Sequence, residues 1–400
     1  MSRTAIARPV LLHVQPDDVP YRVAFAQLES HSLSALEECL TAFQTHGGAG
    51  DARAAWHAPA RDWHGLRVSA AGQRLAAELL ERRRSLDPQR YLEDLAARGV
   101  RVTVYGASDY PSALEHISQP PAVLYYRGRL EGLSRPCVGV VGTRRASDYG
   151  LKAARFFSTG LARAGAAVIS GMAYGIDQAA HQACLQAGGI TFAVLGCGPE
   201  MCYPENATRL KAEIEASGAV ISQFAPGVEP LKGHFPARNR IISGLSHAVL
   251  VVEAPAKSGA IITADFALDQ GRELFAVPGN IFSANAAGTH RLLADKVARP
   301  AVEPADVLSL IGVACHEQPM AFPGGEPATG PALELDETTT RVWSVLSGEQ
   351  AGGDVFEAVD LEDILRRSGE PLTAVLRSLT RLELEGLIRR RVGNTYQRKR

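Results

Sequence analysis

The sequence predicts an α/β fold, a mostly parallel sheet covered by helices on both faces, with a helical domain before it and a small domain of three helices and a β-wing after it. Three observations carry that reading. Six short apolar runs alternate with helical segments between Pro136 and about Gly312. The stretch from about Tyr21 to Arg98 is Ala/Leu-rich with helical spacing. Three further helical patterns follow a break rich in proline and glycine.

Taken in order, Leu33, Leu36 and Leu40, and later Leu75, Leu79 and Leu80, mark amphipathic helices of a helical N-terminal domain spanning residues 1–107. Val100–Tyr105 is a β-type run. Pro120 and Pro121 then force an extended chain into the β-prone stretch Ala122–Tyr126, a lead-in to the next domain. The central domain, residues 108–312, has its strands at Cys137–Val141, Ala166–Ser170, Thr191–Leu195, Ala219–Phe224, Ala248–Glu253 and Glu273–Val277. That rhythm specifies parallel strands joined by crossover helices. Residues 313–335 read as a linker, with Pro319, Pro323, Gly324, Gly325 and Pro327 in rapid succession. In residues 336–400 the helical patterns lie near Thr338–Leu346, Leu361–Arg367 and Leu372–Glu385, and Gly393-Asn394 can turn a hairpin, which together describe a winged helix.

Four hundred residues with 46 % hydrophobic content suffice for two or three domains and at least one large core. Forty-two Lys and Arg against 43 Asp and Glu give no global field, so any nucleic-acid site has to be a local concentration of cations. The C-terminal domain holds eleven basic and eleven acidic residues, yet its last thirteen residues hold six bases and no acid. A DNA-binding wing and a protein-contact module with a solvated basic tail fit that pattern equally. Cys39, Cys137, Cys184, Cys197, Cys202 and Cys315 show no metal-ligand spacing and read as small buried residues of a reducing compartment, with no metal and no cofactor expected. No apolar run approaches the ~20 residues that span a bilayer, and the first residues lack a cleavable leader pattern. The expected location is cytoplasmic, with no membrane partner.

In a parallel α/β sheet ligands bind beyond the carboxyl ends of the strands. The first central strand runs into Gly142-Thr143-Arg144-Arg145-Ala146-Ser147, where a glycine, a helix start and two arginines suggest a phosphate site. After the second comes SGMAYGIDQAAH, in which Ser170-Gly171 and Gly175 permit close backbone approach. Asp177 and His181 there are read as a helix-start carboxylate with a neighbouring imidazole rather than as an acid/base pair. Gly196-x-Gly198 after the third strand is half a dinucleotide fingerprint in the wrong turn. After the fourth, a loop concentrates Lys232, His234, Phe235, Arg238, Asn239 and Arg240 ahead of a helix Ile241–Leu245. Cations interleaved with an aromatic ring suit phosphates and a base of a single strand. After the fifth, Lys257-Ser258-Gly259 could offer helix amides to a phosphate, and a plain cap explains Ser258 equally well. The chain carries no G-x-x-x-x-G-K-[ST], HExxH or G-x-S-x-G, so the strand ends supply anion binders rather than a nucleophile with its base.

With these residues in view, the chain resembles the DprA/Smf family, the DNA-processing proteins of bacterial natural transformation. The resemblance rests on GTRRAS, SGMAYGIDQAAH, YPEN, PLKGHFPARNRIISGLS, KSGAIITADFALDQGRELFAVPG and GTHRLLADK, in that order over roughly Ser108–Ile311. It implies an extended Rossmann-like fold that binds single-stranded DNA, forms a homodimer through this domain and helps load RecA recombinase, with single-strand-binding protein as a further partner. It also implies a helical N-terminal module like sterile-alpha-motif or helix-hairpin-helix folds, and a C-terminal winged helix. The family's DNA-contacting arginine falls on Arg144, and its lysine and phenylalanine fall on Lys232 and Phe235, with Arg238 and Asn239 completing the same motif. The chain departs from the family after Gly288, where Asp295-Lys296 replaces a glycine-bearing segment near the implied dimer and RecA contacts. The rival class is a nucleotide-processing enzyme of the lysine-decarboxylase-like Rossmann group. Its PGGxGTxxE motif is replaced here by KSGAIITADFA.

Overall fold

The computed structural model describes residues 14–28, 32–45, 51–313, 336–346, 359–385, 387–391 and 395–398. The chain forms two compact units, Met1–Glu317 and Gln318–Arg400.

The first unit is built on nine strands: β1 (Arg101–Val104), β2 (Val123–Gly128), β3 (Cys137–Val141), β4 (Ala167–Ser170), β5 (Thr191–Val194), β6 (Ala219–Ser222), β7 (Ala248–Val251), β8 (Glu273–Ala276) and β9 (Arg299–Pro300). They form one sheet in the order β1-β2-β6-β5-β4-β3-β7-β8-β9. From β6 to β9 all neighbours are parallel, while β1-β2 and β2-β6 are antiparallel. The sheet already takes up the chain ahead of residue 108, since Val104 lies opposite Val123. The order reverses at β3: β4, β5 and β6 run outward on one side, and the chain then returns to place β7 on the other. This reversal opens a crevice at the carboxyl ends of the strands, the place where such sheets bind ligands.

Each central strand is apolar at nearly every position because both of its faces are covered. Val138 and Val140 of β3 pack with Phe157 and Leu161 of the helix Asp148–Arg163 and with Ala180 of the helix Ile176–Gln186. Cys137 and Val141, one step out of phase, join Ile241, Ile242 and Ala264 on the opposite face. Ile241 and Ile242 belong to the helix His234–Leu245 and Ala264 to the helix Gly259–Asp269.

Ahead of the sheet six helices, from Val19–Phe25 to Pro88–Ala97, enclose a core of Phe25, Leu36, Leu40, Trp56, Trp63, Leu75 and Leu79. Helical spacing put those leucines on one stripe, and burial of each contributes about 1.5–3 kcal/mol. Aromatic edges tighten the core, with Phe43 and Trp63 centroids 4.6 Å apart. The helices dock on the sheet through Gln27, whose amide donates to the Tyr125 hydroxyl at 2.8 Å.

The second unit has helices Glu337–Leu346, Leu361–Ser368 and Leu372–Leu384 and a three-stranded antiparallel sheet of Val359–Asp360, Ile388–Arg391 and Thr395–Arg398. This is a winged helix around Val342, Ile364, Leu379 and Tyr396. Gly369 at φ 69° ends the middle helix in the left-handed conformation that glycine alone adopts freely. The expected Gly393-Asn394 turn and almost all of the expected linker lie outside the described residues.

Cys39, Cys137, Cys184 and Cys197 are buried free thiols, and burial pushes the first three up to about 12. Cys315 lies outside the described residues. Among the described residues no helix is long and apolar enough to cross a membrane.

Candidate nucleic-acid interface

The loop after β3 is held from beneath by Glu253, the residue that follows β7 by two. The Glu253 backbone carbonyl accepts from the Thr143 amide at 2.7 Å, and its carboxylate accepts from the Ser147 amide at 2.9 Å and the Ser147 hydroxyl at 2.6 Å. Ser147 in turn caps the helix Asp148–Arg163 by accepting from the Gly150 amide at 3.1 Å. The Arg145 amide is bonded to the Thr143 hydroxyl. Three of the loop's amides, those of Thr143, Arg145 and Ser147, are therefore engaged within the protein. Gly142 is required for a different reason than anion approach: a Cβ there would lie 2.4 Å from Ile176. What the loop presents outward is side chain, with Arg144 and Arg145 both exposed.

Arg144 places its guanidinium carbon 5.0 Å from the centroid of the Phe235 ring, a cation–π arrangement. Phe235 also meets the Tyr203 ring, 5.3 Å between centroids, and rests on Gly196, where a Cβ would approach its ring to 3.2 Å. His234 stacks on Phe224 at 4.0 Å and faces the Gly196 carbonyl at 3.1 Å. The β3, β5 and β6 strand ends thus converge on one half-buried ring beside a free-standing cation.

Behind this pair lies Arg238, 4 % exposed. Its guanidinium occupies the space that Gly171 leaves open: a Cβ on Gly171 would fall 1.6 Å from Nη1. Neither Nε nor Nη1 of Arg238 donates to a protein atom among the described residues. Burial lowers its pKa to about 10; the Asp177 charge opposes that shift and the Arg144 charge reinforces it. Burial likewise raises the pKa of Asp177 against the pull of Arg238, and its carboxylate accepts from the amides of Gly171 and Ala173 at 3.1 and 3.3 Å. His181 is turned away to Thr191, 2.7 Å from Nδ1 to the hydroxyl, and burial first, then Arg238, lowers it to about 3. Asp177 lies in the first turn of its helix, and it and His181 serve different partners.

The helix under the site starts earlier than expected, at His234 rather than Ile241. Pro236, which suggests a break, is its third residue, where no intrahelical partner is lost. Arg238, Asn239 and Arg240 are consequently helical and face different ways. At about 100° per residue Arg240 lies roughly 200° round from Arg238. It donates to the Gln119 carbonyl at 2.9 Å, away from the crevice. Asn239 donates to the Gly259 carbonyl at 3.1 Å and so joins the Lys257-Ser258-Gly259 turn. Ser258 stands at the cap position of the helix Gly259–Asp269 without making a cap bond, and Lys257 is exposed. Lys232 is exposed on the turn that leads into His234. Ser170 is fully buried with its hydroxyl on the Val140 carbonyl at 2.6 Å, so it sets the strand end rather than meeting a ligand.

Glu253, Asp177 and Tyr203 were not among the expected site residues. The first carried a signal, an acid closing the otherwise apolar run AVLVVE.

Fold and crevice together define an extended Rossmann-like protein with a winged helix. The model of the family "DNA recombination-mediator protein A" matches residues 101–312, and that of the "DprA winged helix domain" matches residues 326–394. Protein Smf of Synechocystis sp. is 33 % identical over 360 residues, 83 % of this chain and 88 % of the relative. The DNA processing protein DprA of Streptococcus pneumoniae is 45 % identical over 184 residues, 46 % of this chain and 65 % of the relative. The X-ray structure of DprA from Streptococcus pneumoniae superposes with a TM-score of 0.61 at 31 % identity, covering 74 % of this chain and 98 % of that one. The chain belongs to the DprA/Smf family.

Proposed function

We propose that this chain binds single-stranded DNA in the crevice at the carboxyl ends of the sheet's strands, where Arg144, Phe235 and Arg238 meet, protects incoming DNA, and loads RecA recombinase onto it in natural transformation and recombination. In this reading it acts in the cytoplasm as a homodimer joined through the Rossmann-like domain, with single-strand-binding protein as a further partner. Family membership supports the DNA-processing role. The observation that carries the DNA site is Arg144 set over the Phe235 ring with Arg238 buried behind it, two of its nitrogens without a partner among the described residues. Phosphates are taken by Arg144, Lys232 and Arg238, and a base is taken against Phe235. Contacts of this kind carry no base code, so sequence preference is slight. No chemistry is assigned to the site, because Asp177 and His181 are committed to loop amides and to Thr191.

Fluorescence anisotropy of a labelled oligothymidylate across a salt series tests the reading. Arg144→Ala combined with Lys232→Ala weakens binding and lowers the log–log salt slope by about 1.4, roughly 0.7 for each phosphate contact. Unchanged affinity and slope would remove the crevice as the DNA site. Addition of RecA to strands coated with single-strand-binding protein reads the loading step: filament growth accelerates with the wild-type chain and not with the double variant.

A further inference from the structure

The segment after β8 carries the most exposed large apolar side chains of the described residues, Phe282 at 91 % and Ile281 at 77 %. Its backbone is tied down on every side. Asn285 donates to the Arg145 carbonyl at 2.9 Å, the Tyr149 hydroxyl donates to the Pro278 carbonyl at 2.5 Å, and His290 Nε2 lies 3.2 Å from the Gly279 carbonyl. Within the turn the Phe282 amide donates to the Asn280 side chain at 2.9 Å, and the Gly288 amide closes the segment on the Ala254 carbonyl at 2.8 Å. An aromatic ring is thus held out from a fixed turn, three residues from an anchor on the Arg144-Arg145 loop, at most about 11 Å of chain. The Arg145 side chain of that anchored loop is exposed, as is that of Arg144.

We infer that Phe282 is a second stacking platform for single-stranded DNA, which continues the track from Phe235 past Arg144 and Arg145. The inference rests on the DNA-binding reading of the crevice. Aromatic faces spaced along a basic groove are how proteins hold single strands without sequence preference. Continuity with the Arg145 backbone and the exposed Arg144 and Arg145 side chains favour a polyanion as occupant. Protein association through the same ring is the alternative that sedimentation distinguishes.

The test compares oligothymidylates of about 4 and about 16 nucleotides on the full chain. Phe282→Ala lowers affinity for the longer oligomer by roughly five- to 150-fold, the stacking range for one base, and leaves the shorter unchanged. Phe282→Trp retains the longer-oligomer affinity, and its added fluorescence over wild type is quenched by the longer oligomer alone. The ring is solvent-exposed, so neither change removes packing. Equal affinity of Phe282→Ala and wild type for the longer oligomer overturns the inference. So does a change of sedimentation in Phe282→Ala before DNA is added, which would assign the ring to protein association. Failure of Arg144→Ala to weaken the shorter oligomer would instead count against the crevice itself.

Discussion

Arg22, in the helical N-terminal region, and Arg238, under the crevice, are each 4 % exposed, yet they are held in contrary ways. Arg22 donates from Nε to Asp18 at 2.9 Å and from Nη1 to Glu37 at 2.6 Å. Burial works against its charge, but the two carboxylates outweigh burial and hold its pKa above the usual value. Arg238 has Asp177 within electrostatic reach, Arg144 repelling it, and the same two nitrogens without a partner among the described residues. Equal burial therefore says little about role. Arg22 sits in a closed, charge-satisfied triad that serves the fold, whereas Arg238 keeps a positive charge that Asp177 only partly offsets, beside the exposed cation of Arg144, and in the proposed reading an incoming anion draws on that charge.

The largest expected effect separates the two by stability. Arg22→Met leaves Asp18 and Glu37 buried without their cation and should cost roughly 3–5 kcal/mol in urea unfolding. Arg238→Met removes a buried charge that the protein itself only partly satisfies, so its cost should be clearly smaller. Equal losses at both positions would erase the distinction.

Next in size is an effect of acid on the residue beside Arg238. His181 is depressed to about 3 in the folded chain against about 6.5 unfolded, so between those values the unfolded chain binds more protons. Stability is therefore lost as pH falls below about 6.5, reaching roughly 2–3 kcal/mol at about pH 4.5. Urea midpoints of His181→Gln should decline less between pH 7 and pH 4.5 than those of the wild type. A parallel decline would mean that other groups carry the acid sensitivity.

How much of this contrast could be read in advance differs by scale. The six central strands were legible to within two residues at either end, because strands covered on both faces are apolar throughout. The site loops were legible because ligands gather at strand ends. The burial of Arg238 was not. FPARNR looks like a run of surface cations, and only its helical conformation turns Arg238 inward and Arg240 out to Gln119. Pro236 lies inside the first turn of that helix, a position where proline is tolerated, so the helix begins ahead of it. The part played by Glu253 depends on β7 lying beside β3, a fact of strand order that no local pattern encodes.

The smallest expected effect is also the most specific, because it acts on Arg238 without replacing it. Gly171→Ala puts a methyl group where Nη1 lies, and the obstructed atoms are the tip of a side chain, so the guanidinium swings while the backbone stays. Thermal unfolding should change little. Affinity for single strands should fall about tenfold, near the lower end of the 1.5–3 kcal/mol range of hydrogen bonds to a charged group. Arg238→Met should produce a similar fall, and the double variant should be no weaker than the worse single one, since both changes remove one and the same interaction. Additive losses would mean that Gly171 touches the strand on its own account. The unbonded guanidinium would then not be the feature that sets this crevice apart from the closed triad around Arg22.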